Sequence, residues 1–187
     1  MKNIECEIRS FITKEQFEKL LDFFNKNAES LGDDEQTTYY LSGDADLRIQ
    51  RNINYSKIWL KKGKIHDEAR EEIEIRFARD DFEKLEKLFL ALGCEVEIKW
   101  FRARNSFKWN DIDVCLDHTR GYGYIIELEK MSGDAAESGS SKGGAIPDFL
   151  KSKMAELGVA LTPREEFDSK YVYYKENWRK LISESSF

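Results

Sequence analysis

Residues 4–11 alternate strictly, with Glu5, Glu7 and Arg9 at odd positions and Ile4, Cys6 and Ile8 at even ones. A period of two is the mark of a strand with two unlike faces. Thr13 and Gln16 form a capping box, and Phe17, Leu20, Leu21 and Phe24 then recur at helical spacing. Strands are predicted over 35–41 and 46–51, with the turn Ser42-Gly43-Asp44 between them, and over 55–62, closed by Gly63. Residues 70–77 alternate again: Arg70, Glu72, Glu74 and Arg76 against Glu71, Ile73, Ile75 and Phe77. Asp80 and Asp81 open a helix carrying Phe82, Leu85, Leu88, Phe89 and Leu92, which Gly93 stops. Three strands follow over 94–106, 107–118 and 122–130. Residues 132–145 are a low-complexity Gly/Ser stretch, read as a flexible loop. A C-terminal helical segment, 146–187, contains helices over about 146–157 and 165–182. No repeat and no interior linker divides the chain, so 1–187 reads as a single α+β domain dominated by antiparallel sheet.

Nearly every strand carries charges at alternate positions, and residues at i and i+2 project to one side. Besides the first strand, the sets are Arg70/Glu72/Glu74/Arg76, Arg102/Arg104 and Glu127/Glu129. If such strands close into a barrel, the charges either face water or line a polar tunnel. The helices each present an apolar stripe that needs a surface to cover. Outward strand faces of Ile, Leu, Phe and Cys would supply it, which favours the tunnel. Carboxylates together with guanidinium and ammonium groups suit a polyanion chelated to a divalent metal, such as a triphosphate with Mg²⁺ or Mn²⁺. Arg offers planar forks to phosphate oxygens and Lys a point charge.

Composition adds boundaries. The 187 residues hold 30 Lys+Arg and 36 Asp+Glu, a net charge of −6, which argues against nucleic acid or a membrane surface as partner. Charged residues reach 35% and hydrophobic ones 41%, so the chain is expected to fold. No apolar run is long enough for a transmembrane helix, and the first residues lack the apolar core of a signal peptide. Cys6, Cys94 and Cys115 are widely spaced and fit reduced, packing thiols in a cytoplasmic protein. With two histidines, His66 and His118, both read as structural, neither a zinc site nor a Ser/His/Asp triad is supported.

These elements resemble the CYTH domains, or triphosphate tunnel metalloenzymes, the group of class IV adenylyl cyclases and thiamine triphosphatases. The E-x-E-x-K opening of that family corresponds to Glu5-Cys6-Glu7-Ile8-Arg9, with Arg for Lys. Its L-R-I-R strand corresponds to Leu47-Arg48-Ile49-Gln50, its T-L-K strand to Trp59-Leu60-Lys61 with Lys62 as the other register, and its R-x-E-x-E element to Arg70–Glu74. A basic strand follows in Lys99, Arg102 and Arg104, then Leu116-Asp117, Gly121-Tyr122-Gly123 and Glu127-Leu128-Glu129. Six elements stand in the family's order over residues 4–130.

The resemblance implies a closed eight-stranded antiparallel β-barrel, a tunnel, with flanking helices. It implies Glu5, Glu7, Glu127 and Glu129 as ligands of Mg²⁺ or Mn²⁺. It gives Arg9, Arg48, Lys61, Arg102 and Arg104 to the triphosphate. Glu72 and Glu74 become the catalytic pair, binding a second metal or orienting water. Asp117 fits either a turn or a support for the site, and Tyr39 and Tyr40 either a base or packing. Gln50 and Trp59 depart from the family's Arg and Thr, with Arg51 as a substitute for the missing Arg. The expected activity is hydrolysis of inorganic, nucleoside or thiamine triphosphate. The alternatives are an adenylyl cyclase, which makes cyclic AMP and pyrophosphate from ATP, and a non-catalytic polyphosphate or nucleotide binder. The expected partner is a triphosphate-containing small molecule, and a homodimer follows from the family.

Overall fold

The computed structural model describes residues 4–61, 72–132 and 145–185. The alternation at the start becomes strand β1 (Ile4–Ile12). Thr13 then ends the strand and starts helix α1 (Lys14–Asn27) through the capping box: its hydroxyl accepts from the Gln16 N–H, and the Gln16 side chain accepts from the Thr13 N–H. The chain continues as β2 (Glu29–Leu41), β3 (Asp46–Arg51), β4 (Tyr55–Lys61) and β5 (Glu72–Ala78). A short 3₁₀ turn (Arg79–Asp81) leads into α2 (Phe82–Ala91). There follow β6 (Val96–Trp109), β7 (Ile112–Thr119) and β8 (Gly123–Ser132), then α3 (Ala145–Glu156) and α4 (Arg164–Glu184). Most of the Gly/Ser stretch, residues 133–144, lies outside the described residues, as do His66 and the Gly63 turn. No described helix is long and apolar enough to cross a membrane.

Two boundaries differ from expectation. Strand β2 begins six residues before 35, running through Gly32-Asp33-Asp34 by means of a bulge between Ser30 and Gly32. The break expected between 106 and 107 falls instead at Asn110-Asp111, a two-residue turn that joins Trp109 to Ile112, with Asn110 at φ +55°. Such hairpin turns need positive φ, which Asn accepts more readily than most residues.

All eight strands form one antiparallel sheet in the order β1-β8-β7-β6-β2-β3-β4-β5. The expected closed barrel is corrected here: β1 and β5 are the two edges, and no ladder joins them among the described residues. The outer edge of β1 is occupied by the segment between α3 and α4. The Phe11 N–H donates to Thr162 Oγ1 at 2.9 Å, and the Thr162 N–H donates to Ser10 Oγ at 2.9 Å. The Ser10 hydroxyl, fully buried, donates to the Ala160 carbonyl at 2.6 Å. This strap takes up the Phe11 N–H on that edge and helps to blunt it. The sheet is therefore open but strongly curled, so that Glu7 of β1 and Lys61 of β4 line one cavity.

Helices cover the convex face. Helices α1 and α3 set Leu20, Phe24, Leu150 and Met154 against Phe107, Val114, Leu116, Ile126 and Leu128. Helix α2 sets Phe82 and Leu85 against Ile49 and Leu41. Full burial of each such side chain contributes roughly 1.5–3 kcal/mol. Helix α4 instead closes part of the concave side, where Tyr174 and Trp178 pack with Ile98. The Tyr174 hydroxyl donates to the Lys99 carbonyl at 3.0 Å, and Trp178 Nε1 to the Glu97 carbonyl at 2.7 Å. Gly121, at φ +73°, allows this approach: a Cβ there would stand 2.8 Å from Leu181 Cβ.

Replacing Ser10 with Ala removes the hydroxyl that serves the strap and leaves the Ala160 carbonyl and the Thr162 N–H without their partner. Urea unfolding is expected to show a loss of about 1–3 kcal/mol. An unchanged midpoint would show that the strap does not hold the edge.

Candidate functional site

The alternation of each strand delivers one set of side chains to the concave face. Glu7 and Arg9 come from β1, Arg48 and Gln50 from β3, and Tyr55, Lys57, Trp59 and Lys61 from β4. Strand β2 adds Asp34, Gln36, Thr38 and Tyr40, and β6 adds Trp100, Arg102 and Arg104. Strands β7 and β8 complete the wall with Asp117, Thr119, Ile125, Glu127 and Glu129. Phe167 and Tyr171 of α4, one helical turn apart, form the remaining side. The cavity measures about 460 Å³.

The structure thus gathers Glu7, Glu127, Glu129, Arg9, Arg48, Lys61, Arg102 and Arg104 around one space. The backbones of Glu5 and Glu72 lie in β1 and β5, opposite Met131 and Lys61, and their side chains lie outside the described residues. Glu74 does not join the cavity wall. Its carboxylate accepts from Lys57 Nζ and Arg76 Nε, each at 2.7 Å, at the edge of the sheet. Burial pushes it up, but the hydrogen bonds and charges of Lys57 and Arg76 together outweigh that and hold it below the usual carboxylate range. Lys99 points to the other face, where its ammonium lies 3.6 Å from Glu86 and over Tyr39. Tyr39 packs on Phe82 in the core under α2, whereas Tyr40 lines the cavity.

Asp117, only 2% exposed, is the hub of the charges. Arg104 binds it through two hydrogen bonds, Nε to Oδ1 at 2.7 Å and Nη2 to Oδ2 at 2.6 Å. Arg102 Nη1 reaches Oδ2 at 3.0 Å, and Arg104 also donates to Glu127. Gln36 Oε1 accepts from Arg102 Nε at 2.9 Å. Gln50, buried, donates to Thr38 Oγ1 at 2.9 Å and to Gln36 Oε1 at 3.3 Å. Position 50 therefore braces the wall. Arg51 does not replace the missing guanidinium, because it turns outward onto Glu83 at 2.6 Å and over Phe82. Arg48 is held by a fork onto Asp46, with both bonds at 2.6 Å, and lies 4.2 Å from the Tyr40 ring centroid.

The carboxylates differ in state. Burial alone would raise Glu127, but Arg104, Arg102 and Arg9 outweigh it and keep the carboxyl well below its usual range. Glu7 is driven the other way, first by Glu127 and then by burial, against the opposing pull of Arg9, Lys61 and Arg104. Burial pushes the Cys115 thiol up to about 11, so it is no nucleophile at neutral pH. Like-charged residues also stand directly opposite each other in the β1–β8 ladder, where Glu7 faces Glu129.

That crowding is what a divalent cation relieves. Glu7, Glu127 and Glu129 offer hard oxygen donors from adjacent strands, the donor type of Mg²⁺ or Mn²⁺. Among the described residues no three carboxylate, His or Cys donors already converge on one point, so these side chains must turn from their present partners to share an ion.

Gln36, Lys57, Phe167 and Tyr171 were not assigned to the site from the sequence, and Asp117 was left between a turn and a support for the site. Lys57 carried a usable signal, sitting two and four residues before Trp59 and Lys61 on one strand face. The helix residues carried none.

Comparison with known proteins gives the site its relatives. A protein of Methanocaldococcus jannaschii, provisionally named adenylate cyclase MJ0240, is 32% identical over 96 residues, 50% of this chain and 54% of that one. The chain thus matches about half the length of this curated relative. A conserved hypothetical protein of Pyrococcus furiosus superposes with a TM-score of 0.68 at 24% identity, over 86% of this chain and 96% of its own. A Hippeastrum protein, provisionally named an adenylyl cyclase and described as revealing a dominant triphosphatase activity, superposes with a TM-score of 0.63 at 14% identity, over 91% of this chain and 96% of its own. At these identities the solved structures establish the shared fold. The CYTH domain model matches residues 3–141, most of the sequence and all eight strands of the sheet, and the chain belongs to the CYTH domain family.

Proposed function

We propose that this chain hydrolyses a triphosphate in a divalent-metal-dependent reaction within the curled sheet. One observation carries the reading: Arg9, Arg48, Lys61, Arg102 and Arg104 converge on a cavity that Glu7, Glu127 and Glu129 also line. Cations alone would bind any anion. The carboxylates among them add a place for the metal that accompanies a triphosphate. The triphosphatase activity described for the Hippeastrum neighbour supports the same reading.

In this mechanism Arg102 and Arg104, already oriented by Asp117, present guanidinium groups to phosphate oxygens. Arg48 is pre-set in the same way by Asp46. Fixed donors of this kind stabilise the charge that builds on the phosphoryl oxygens without reorganising during the reaction. Mg²⁺ or Mn²⁺, held by Glu7, Glu127 and Glu129, would polarise phosphate oxygens and offset the negative charge of the substrate. Water attacks the terminal phosphorus in line with the leaving oxygen, the P–O bond to the rest of the chain breaks, and the phosphate product carries the added oxygen.

A second reading, cyclisation of ATP, is favoured by the aromatic side of the cavity. Tyr40, Trp100, Tyr122, Phe167 and Tyr171 line it, and planar rings of this kind can take a base.

The purified chain, assayed with inorganic triphosphate, ATP and thiamine triphosphate in Mg²⁺ or Mn²⁺, is expected to release orthophosphate. Cyclic AMP and pyrophosphate from ATP would replace the hydrolase reading with the cyclase. Binding with no turnover would replace it with a non-catalytic role. Glu129→Gln is expected to lower turnover by about 100-fold or more while leaving the fold intact. Full activity in that variant would sink the metal mechanism.

Glu7 yields a separate expectation that needs no turnover. Its carboxyl titrates above its ordinary value of 4.5 in the folded chain. The fold thus favours the protonated form, a stabilisation present at low pH and lost as pH rises through the raised value. Glu7→Gln removes the repulsion from Glu127. The variant should melt roughly 3 °C or more above the unaltered chain at pH 8, with the gap closing below pH 4.5. Mg²⁺ should raise the melting temperature of the unaltered chain at pH 8 more than that of the variant. Parallel melting curves across pH would contradict the assigned repulsion.

A further inference from the structure

The two departures from the family pattern, Gln50 and Trp59, meet on neighbouring strands. The β3–β4 ladder places Gln50 opposite Lys57 and Arg48 opposite Trp59. Gln50 is committed to Thr38 and Gln36, and Arg51 faces away. The cation that faces position 50 is Lys57, whose ammonium lies 4.3 Å from the centroid of the Trp59 ring.

Trp59 itself is 6% exposed. Its indole Nε1 is the one buried side-chain polar atom among the described residues that lacks a hydrogen-bond partner. An indole N–H can only donate, and burying a donor unpaired is costly enough that native folds rarely do it without cause. The carboxylate across the ladder from Trp59 is Glu74, and it is already engaged by Lys57 and Arg76. In a cavity walled by cations, the acceptor still to come is an anionic oxygen.

We propose that Lys57 and the Trp59 indole N–H together form a subsite for one phosphate group of the substrate, with Lys57 supplying the charge that position 50 lacks. The inference rests on the triphosphate reading above. In the free protein Lys57 is parked on Glu74. When the anion arrives, its flexible stem carries the ammonium from Glu74 to a phosphate oxygen and clears the space beside the indole. Arg76 keeps its bond to Glu74, so the exchange leaves no carboxylate stranded. The Trp59 N–H then donates to the same phosphate group.

The test uses the full chain, ¹⁵N-labelled, with inorganic triphosphate and Mg²⁺ as the probe. The Trp59 indole signal, identified by its loss in Trp59→Phe, is expected to move downfield on saturation. By calorimetry, Trp59→Phe should bind about tenfold more weakly and Lys57→Gln about tenfold or more, the range of a hydrogen bond to a charged group. If the unaltered chain binds triphosphate while the indole signal stays in place and both variants bind equally well, the subsite is wrong and the hydrolase reading stands. If the unaltered chain binds no triphosphate, both fall. The indole shift is read on the unaltered chain, and Trp59→Phe serves there only to assign the signal.

Discussion

A guanidinium taken out of water is tolerated only when its charge is matched and its donors are filled, and Arg104 meets both demands through Asp117 and Glu127. The rest of the molecule is arranged around that constraint. Asp117 satisfies two arginines at once, so β6, which carries both, and β7, which carries Asp117, must keep a fixed register. Removing one member of such a network typically costs about 3–5 kcal/mol, because the remaining charge is left buried and unmatched. Replacing the whole network with apolar groups would cost less, so stability is a weak reason for it. The proposed binding of a triphosphate, which brings several negative charges, is a stronger one.

The same constraint decides which face of each strand goes where. Charges at alternate positions oblige the apolar alternates to face outward, and these then need helices to cover them. Phe24, Leu150 and Met154 on one part of the convex face and Phe82 and Leu85 on another fill that need. Core and cavity are two sides of one alternation, so a one-residue slip in any strand would put charged side chains under a helix and apolar ones among the charges of the cavity.

Much of this was legible in the residues. Glu5-Cys6-Glu7-Ile8-Arg9 displays its period without ambiguity, and Thr13 with Gln16 announces the first helix by a local hydrogen-bond pattern that the structure contains. What stayed hidden was non-local or carried by backbone. Gly32-Asp33-Asp34 looks like a loop because its composition is that of a turn, yet ladder bonds to β6 hold it as strand around a bulge. The cover on the β1 edge comes from Ser10 meeting residues 160–162, about 150 positions away, and no periodicity in β1 could reveal that meeting. Asp117 could be read two ways because its importance comes from which arginines lie across the ladder.

The cavity also divides along the chain in an instructive way. Its charged groups all lie within residues 3–141, the part that the family model matches. Phe167 and Tyr171 lie beyond it, on a helix anchored independently through Tyr174 and Trp178. Reactivity and shape are thus written in separate stretches. Substitutions on one face of α4 can widen, narrow or re-line the chamber while every ionic group keeps its place. Two members of this family can therefore carry the same charged signature and still admit different molecules, and a match confined to the signature is silent on that choice.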